Sequence, residues 1–178
     1  MAGKCVVIMG VSGTGKSSVG ARLAQRLHAK FIDGDDLHPR RNIVKMSQGQ
    51  ALNDDDREPW LERLNDVIFS LQQKNETGLL VCSSLKKRYR DRLRESNHGI
   101  TFLWLTGDYA LVLERMRRRK GHFMPESLLK SQFMALEAPQ ENEADVVAID
   151  IDAPMEDVVQ RCLNALTPER ISIASPTP

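Results

Sequence analysis

Eight consecutive residues carry the clearest chemistry in the chain: Gly10-Val11-Ser12-Gly13-Thr14-Gly15-Lys16-Ser17. They fit G-x-x-x-x-G-K-[ST], the spacing of a phosphate-binding loop. Glycines let a backbone wrap an anion with its N–H groups turned inward, and a helix start adds a positive dipole end. Lys16 is placed to reach the β- and γ-phosphates, and the Ser17 hydroxyl suits Mg2+. The context has the right order. The apolar run from Cys5 to Met9 reads as a buried strand before the loop, and Val19, Leu23 and Leu27 repeat at i, i+4, i+8 on a helix after it. The loop predicts a bound nucleoside triphosphate and leaves the acceptor open.

Acids and bases elsewhere bear on that acceptor. Asp33 and Asp35 flank Gly34 at the end of a second strand, Lys30 to Asp33, where an extended backbone puts both carboxylates on one side. A carboxylate at such a place serves an alcohol as general base or partners Mg2+; the alternative is a solvated acidic turn. The third strand ends in Cys82-Ser83-Ser84 and lacks the terminal Asp of the usual Walker B pattern. Val146 to Asp150 has the apolar-then-Asp pattern, but late in the chain, so the metal falls to Asp33 or Asp35. Lys86 and Arg90 are spaced to bind an anionic acceptor, and Arg115 and Arg119 to clamp a transferring phosphoryl group. About half of the residues in these two basic clusters read equally well as ordinary solvated charges. His122, after Gly121, reads as part of a flap or as a structural histidine.

These residues need a scaffold. A chain of 178 residues makes one domain that buries roughly 70% of its unfolded surface. Net charge is +1, and few aromatics interleave with the basic residues, which argues against a nucleic-acid surface. No apolar run approaches a membrane span, and the N-terminus leads straight into a strand without a signal-peptide cleavage site. Three cysteines, Cys5, Cys82 and Cys162, fit no disulfide framework. A cytoplasmic enzyme that binds neither membrane nor nucleic acid is expected.

Further strands are read at 78–83, 101–105 and 146–150. Helices are read at about 59–73, where Pro59 takes the first position, and at 86–95, from 109 behind an Asp108 cap, at 126–137 and from 154 to about 166. Strands alternating with helices predict an α/β domain with a parallel sheet covered on both faces and ligands at the carboxyl ends of the strands.

Taken together, several stretches resemble the gluconate kinases (gluconokinases), small P-loop kinases related to the shikimate kinases. They are Met9 to Ser17, Phe31-Ile32-Asp33-Gly34-Asp35-Asp36-Leu37-His38-Pro39, Asn42, Lys45 to Gly49, Leu52 to Arg57, Pro59-Trp60-Leu61 and Val81 to Asp91. Gly121 to Met124, Ser131-Gln132-Phe133 and Leu136-Glu137 complete the set. The loop alone selects a superfamily; Asp-Gly-Asp-x-Leu-His-Pro and Cys-Ser-x-Leu-Lys-Lys are far more selective.

The resemblance implies transfer of the ATP γ-phosphate to the 6-hydroxyl of D-gluconate. It implies a P-loop NTPase three-layer α/β/α sandwich, with a five-stranded parallel sheet in the order 2-3-1-4-5 and a helical lid, commonly as a homodimer. A kinase domain would span 1–166, with an acceptor region at about 37–60, a lid at about 115–130 and a flexible tail at 167–178. Under this reading Gly10 to Ser17 and Arg115 hold ATP, and Ser17 and Asp33 hold Mg2+. Lys16, Asp35 and Arg119 are catalytic, while Asp35, His38, Arg57, Lys86, Arg90 and His122 bind gluconate. The rivals are a kinase of another small anion, shikimate-like or another aldonate, and a non-enzymatic nucleotide switch. The guanine-reading Asn-Lys-x-Asp of many switches is absent.

Overall fold

In the computed structural model, which describes residues 3–119 and 125–166, five parallel strands form one sheet in the order β2-β3-β1-β4-β5. They are β1 (Cys5–Met9), β2 (Lys30–Asp33), β3 (Gly78–Val81), β4 (Ile100–Thr106) and β5 (Val146–Asp150). Between and after them run α1 (Lys16–Leu27), α2 (Arg40–Ser47), α3 (Asp54–Gln73), α4 (Lys87–Arg94), α5 (Tyr109–Arg118), α6 (Glu126–Ala135) and α7 (Met155–Ala165). Both the alternation and the strand order match expectation.

The core follows from the two-residue period of a strand. Along β1, Val6 and Ile8 point to one face, packed with Val19 and Leu23 of α1, Val112 of α5 and Val158 of α7. Cys5, Val7 and Met9 point to the other, against Leu61, Leu64 and Ile68 of α3 and Leu93 of α4. A strand apolar at every position is what a sheet covered on both faces requires.

Two local expectations are corrected. Helix α3 starts at Asp54, not at Pro59. Asn53 and Asp56 form a reciprocal capping box, in which Asn53 Oδ1 accepts from the Asp56 N–H at 2.8 Å and Asp56 Oδ2 from the Asn53 N–H at 2.9 Å. With Asp54, Asp55 and Asp56 in the first turn, these contacts outweigh the one i to i−4 bond that Pro59 cannot make inside the helix. The backbone after β2 is also not extended. Residues Gly34–Leu37 form a 3-10 turn whose cap is Asp33, with Oδ1 accepting from the Asp35 N–H at 3.0 Å.

The sheet order positions the chemistry. Strands β2, β3 and β1 are neighbours, so the acid turn, the Cys82–Ser84 segment and the phosphate loop leave the sheet side by side. The Gly10 N–H donates to the Ser83 carbonyl at 3.1 Å, joining the loop to the end of β3. A side chain at Gly10 would lie 2.6 Å from the Leu105 carbonyl oxygen, and its φ of 141° suits glycine alone.

Candidate active site

A cavity of about 760 Å3 opens at the carboxyl ends of the strands. Its walls include Ser12 to Val19, Asp33, Asp35, Cys82, Ser83, Arg115, Arg119, Gln132 and the turn Ala153 to Met155. That size suits a small ligand such as a nucleotide.

The loop is built as its sequence requires. Gly15, at φ 89°, caps α1, which leaves the first N–H groups of the helix free for an anion. Lys16 Nζ donates to the Val11 carbonyl at 2.9 Å, folded over its own loop. Burial lowers its pKa to about 8, opposed by Cys82, Asp35 and Asp33. An ammonium so desolvated gains by meeting a phosphate. Ser17 is exposed on the cavity wall.

The acid turn is clamped from below. Trp60 Nε1 donates to the Gly34 carbonyl at 2.8 Å, between the two carboxylates. A Cβ on Gly34 would meet the Val81 carbonyl oxygen at 2.6 Å, so glycine lets the turn lie against β3. Asp35 faces the cavity with one side open to solvent. Desolvation by the cleft, and then the neighbouring Asp33, raise its carboxyl pKa, while His38 and Lys16 pull it down. His38 stacks on Trp60, with ring centroids 4.4 Å apart, and its Nδ1 lies 3.2 Å from the Asn42 amide. Burial lowers the His38 pKa, which favours the neutral ring.

Beyond the acids lies a cationic patch outside the cavity wall. Arg57 donates to the Tyr89 hydroxyl at 3.2 Å, and both Arg57 and Lys86 stand over the Tyr89 ring. Asp54 accepts from Tyr89 at 2.6 Å and from Arg88 at 2.7 Å, and lies 3.9 Å from both Arg57 and Lys86. The His38 N–H donates to the Asp35 carbonyl at 3.4 Å, and the Asn42 amide joins the His38 ring at 3.2 Å to the carbonyl of Asp56 at 2.9 Å, the residue before Arg57. These contacts and the shared Tyr89 ring link Asp35, His38, Arg57 and Lys86 into a strip leading away from the phosphate loop.

Arg90 does not join them. It is fully buried, and all five of its guanidinium N–H donors are taken: by both Glu143 carboxylate oxygens and by the carbonyls of Ser84, Leu85 and Glu137. The expected role in binding an acceptor is withdrawn, because an arginine without a free donor or solvent access cannot reach one. Lys86 is the residue before α4, its side chain over the Tyr89 ring while Arg90 is buried.

Arg115 lines the cavity, with its guanidinium on the Ile151 carbonyl at 2.5 Å and the Ala153 carbonyl at 3.3 Å, so it also holds the turn after β5. Arg119 is exposed on the wall just after α5. His122 and the tail 167–178 lie outside the described residues, as does part of the expected lid. Three wall or support residues received no role from sequence: Cys82, Trp60 and Gln132. Gln132 reaches the loop from 120 positions away, and no local pattern signals such a contact.

For a divalent cation the protein offers few donors. Among the described residues no group of three His, Cys, Asp or Glu is placed to hold a metal ion. The Ser17 hydroxyl and the Asp33 carboxylate are both hard oxygen donors. They fit Mg2+, which characteristically takes its remaining ligands from phosphate and water.

A phosphate loop with its lysine, carboxylates two strands away and cations beyond them is the layout of P-loop kinases that phosphorylate small molecules. The shikimate kinase family model matches residues 12–167. The chain is 60% identical over 166 residues to the thermosensitive gluconokinase of Escherichia coli K12, which covers 93% of this chain and 89% of that protein. It is 51% identical over 160 residues to the thermoresistant gluconokinase of the same strain, with 90% and 91% covered. The crystal structure of a gluconokinase from Sinorhizobium meliloti 1021 has the same fold, with a TM-score of 0.84 at 43% identity over 97% of this chain and 98% of that one. The chain belongs to the gluconokinases, within the wider shikimate kinase family.

Proposed function

We propose that this protein transfers the γ-phosphate of ATP to the 6-hydroxyl of D-gluconate, giving 6-phospho-D-gluconate and ADP. The observation that carries the reading is that Lys16 and Asp35 share one cavity and that contacts run from Asp35 through His38 to Arg57 and Lys86, in a chain 60% identical to a gluconokinase. Gluconate is a polyol with one carboxylate. Its acid end pairs with Arg57 and Lys86, and its far hydroxyl lies at Asp35, beside the phosphate loop.

Backbone N–H groups of residues 12 to 17 cradle the phosphates, and Lys16 neutralises charge on the transferring group. Asp35 orients the 6-hydroxyl and accepts its proton as the oxygen attacks phosphorus and the bond to the ADP oxygen breaks. A raised carboxyl pKa makes it a better base than an ordinary aspartate. His38, held neutral, hydrogen-bonds the polyol. Arg119 closes on the γ-phosphate, and Arg115 supports the nucleotide side. Segment 115–130, with His122, acts as the lid that excludes water, and 37–60 as the acceptor region. Ser17 and Asp33, the latter through water, would hold Mg2+, which supplies charge neutralisation on the phosphates when bound.

We assign the protein to the cytoplasm, supported by three free, buried cysteines and by the absence, among the described residues, of any helix long and apolar enough to cross a membrane. A homodimer is the assembly that the family resemblance supports, with no membrane or nucleic-acid partner. The reading is tested by phosphorus and carbon NMR of the product. A phosphate ester on C6 is expected; an ester on another carbon, or inorganic phosphate alone, would refute it.

A further inference from the structure

Helix α6 reaches the phosphate loop through one side chain. The Ser12 N–H donates to Gln132 Oε1 at 2.7 Å. A backbone N–H can only donate, so the atom facing it is the amide oxygen and not the nitrogen. Gln132 lines the same cavity as Lys16, Ser17, Asp35 and Arg119. The end of the helix is fixed on the acceptor side. The Glu137 N–H donates to the Leu85 carbonyl at 2.8 Å, Glu137 Oε1 accepts from the Lys87 N–H at 2.9 Å, and the buried Arg90 donates to the Glu137 carbonyl at 3.0 Å. The chain after α6 thus lies beside Lys86, the residue assigned to the acceptor, and the phosphate that faces an acceptor is the one transferred.

We propose that Gln132 is a ligand of the γ-phosphate, an inference that rests on the ATP-dependent kinase reading. Among the described residues the Ser12 N–H has one acceptor, and a phosphate oxygen is a stronger, charged one. As the phosphate takes that N–H, rotation of the terminal amide turns Nε2 and its two donors toward the anion, with no backbone movement. The same side chain thus satisfies the loop before the triphosphate arrives and binds the third phosphate afterwards. A diphosphate ends short of it. Gln132 therefore favours ATP over ADP, which assists release of the spent nucleotide.

The test compares dissociation constants of ADP and of the β,γ-imido analogue of ATP, both with Mg2+, for the wild type, Gln132→Ala and Gln132→Glu. Unliganded thermal melts check that each variant is folded. ADP should stay within about twofold in both variants, since neither changes a diphosphate contact. The analogue should weaken several-fold in Gln132→Ala. It should weaken by roughly tenfold or more in Gln132→Glu, where a carboxylate holds the Ser12 N–H more firmly and repels the anion. Equal weakening of both nucleotides would reduce Gln132 to a support of the loop and overturn the proposal, as would an analogue affinity unchanged in both variants. A wild type that binds neither nucleotide would overturn the kinase reading beneath it.

Discussion

Arg90 and Glu143 form a buried two-pronged ion pair, Nε to Oε1 and NH2 to Oε2, each at 2.8 Å. The arginine side chain is 0% exposed and the glutamate 4%. The remaining arginine donors fasten the Ser84–Leu85 segment and the chain after α6 at Glu137. One buried side chain thus ties together the Ser84–Leu85 segment, the end of α6 and the segment leading to β5.

Breaking that pair should be severe. Arg90→Met leaves Glu143 with Arg94 as its remaining cation and takes the arginine donor from the Ser84 and Glu137 carbonyls, while the Leu85 carbonyl keeps the Glu137 N–H. Removing one partner of a buried pair costs about 3–5 kcal/mol. Urea unfolding of Arg90→Met should show a loss of this size. A variant of native stability with only a raised gluconate KM would restore the role that burial removes.

The same pair sets a pH dependence. The Arg90 hydrogen bond, and then that of Arg94, overcome burial and lower the Glu143 pKa from 4.5 to about 2. The folded-state pKa lies below the unfolded one, so the unfolded chain takes up the proton first as pH falls. The stability Glu143 contributes is complete above about pH 4.5 and is lost progressively toward about pH 2. Urea midpoints should fall across this window in the wild type, and Glu143→Gln should flatten that fall. An equally steep fall in the variant would assign the acid sensitivity to other carboxylates.

Trp60, buried and off the cavity wall, holds the turn that carries the acids. Trp60→Phe keeps a ring to stack on His38 but removes the indole donor from the Gly34 carbonyl, which retains its bond within the 3-10 turn. Losing one such hydrogen bond costs about 0.5–1.5 kcal/mol. Turnover should fall as Asp33 and Asp35 lose their fixed register, with ATP affinity little changed. Native kcat in this variant would mean that Gly34 and β3 hold the turn unaided.

Asp35 is the base in this account. Asp35→Asn keeps shape and removes proton acceptance, so turnover should drop by about 10²-fold or more with ATP still bound. Single-turnover kinetics beside an ATP titration separate the two effects. Unchanged kinetics would move the base elsewhere, with Asp33 the nearest carboxylate.

The architecture was legible because its signals are local. Each strand is an apolar run, and Gly10 to Ser17 defines its own geometry. The start of α3 was misplaced by weighting Pro59 over Asn53 and Asp56, although the capping box is written in the sequence three residues apart. Arg90 was misassigned for a different reason. Spacing gives a residue's angle around a helix but not which side is covered, and the partner that buries it, Glu143, lies 53 positions away. Ser131-Gln132-Phe133 carries part of the family resemblance, but the contact of Gln132 with Ser12, 120 positions away, is hidden from spacing in the same way. The acids after β2 were found, but their 3-10 turn depends on Trp60 and β3, which no local pattern encodes.

The most direct test is ADP release measured with purified protein, ATP and Mg2+ against single acceptors: D-gluconate, other aldonates, shikimate, nucleoside monophosphates and none. Release that depends on gluconate, and stays near the acceptor-free rate with shikimate and the monophosphates, is the expected result. Release only with another acceptor, or at the same rate without any, would contradict the account.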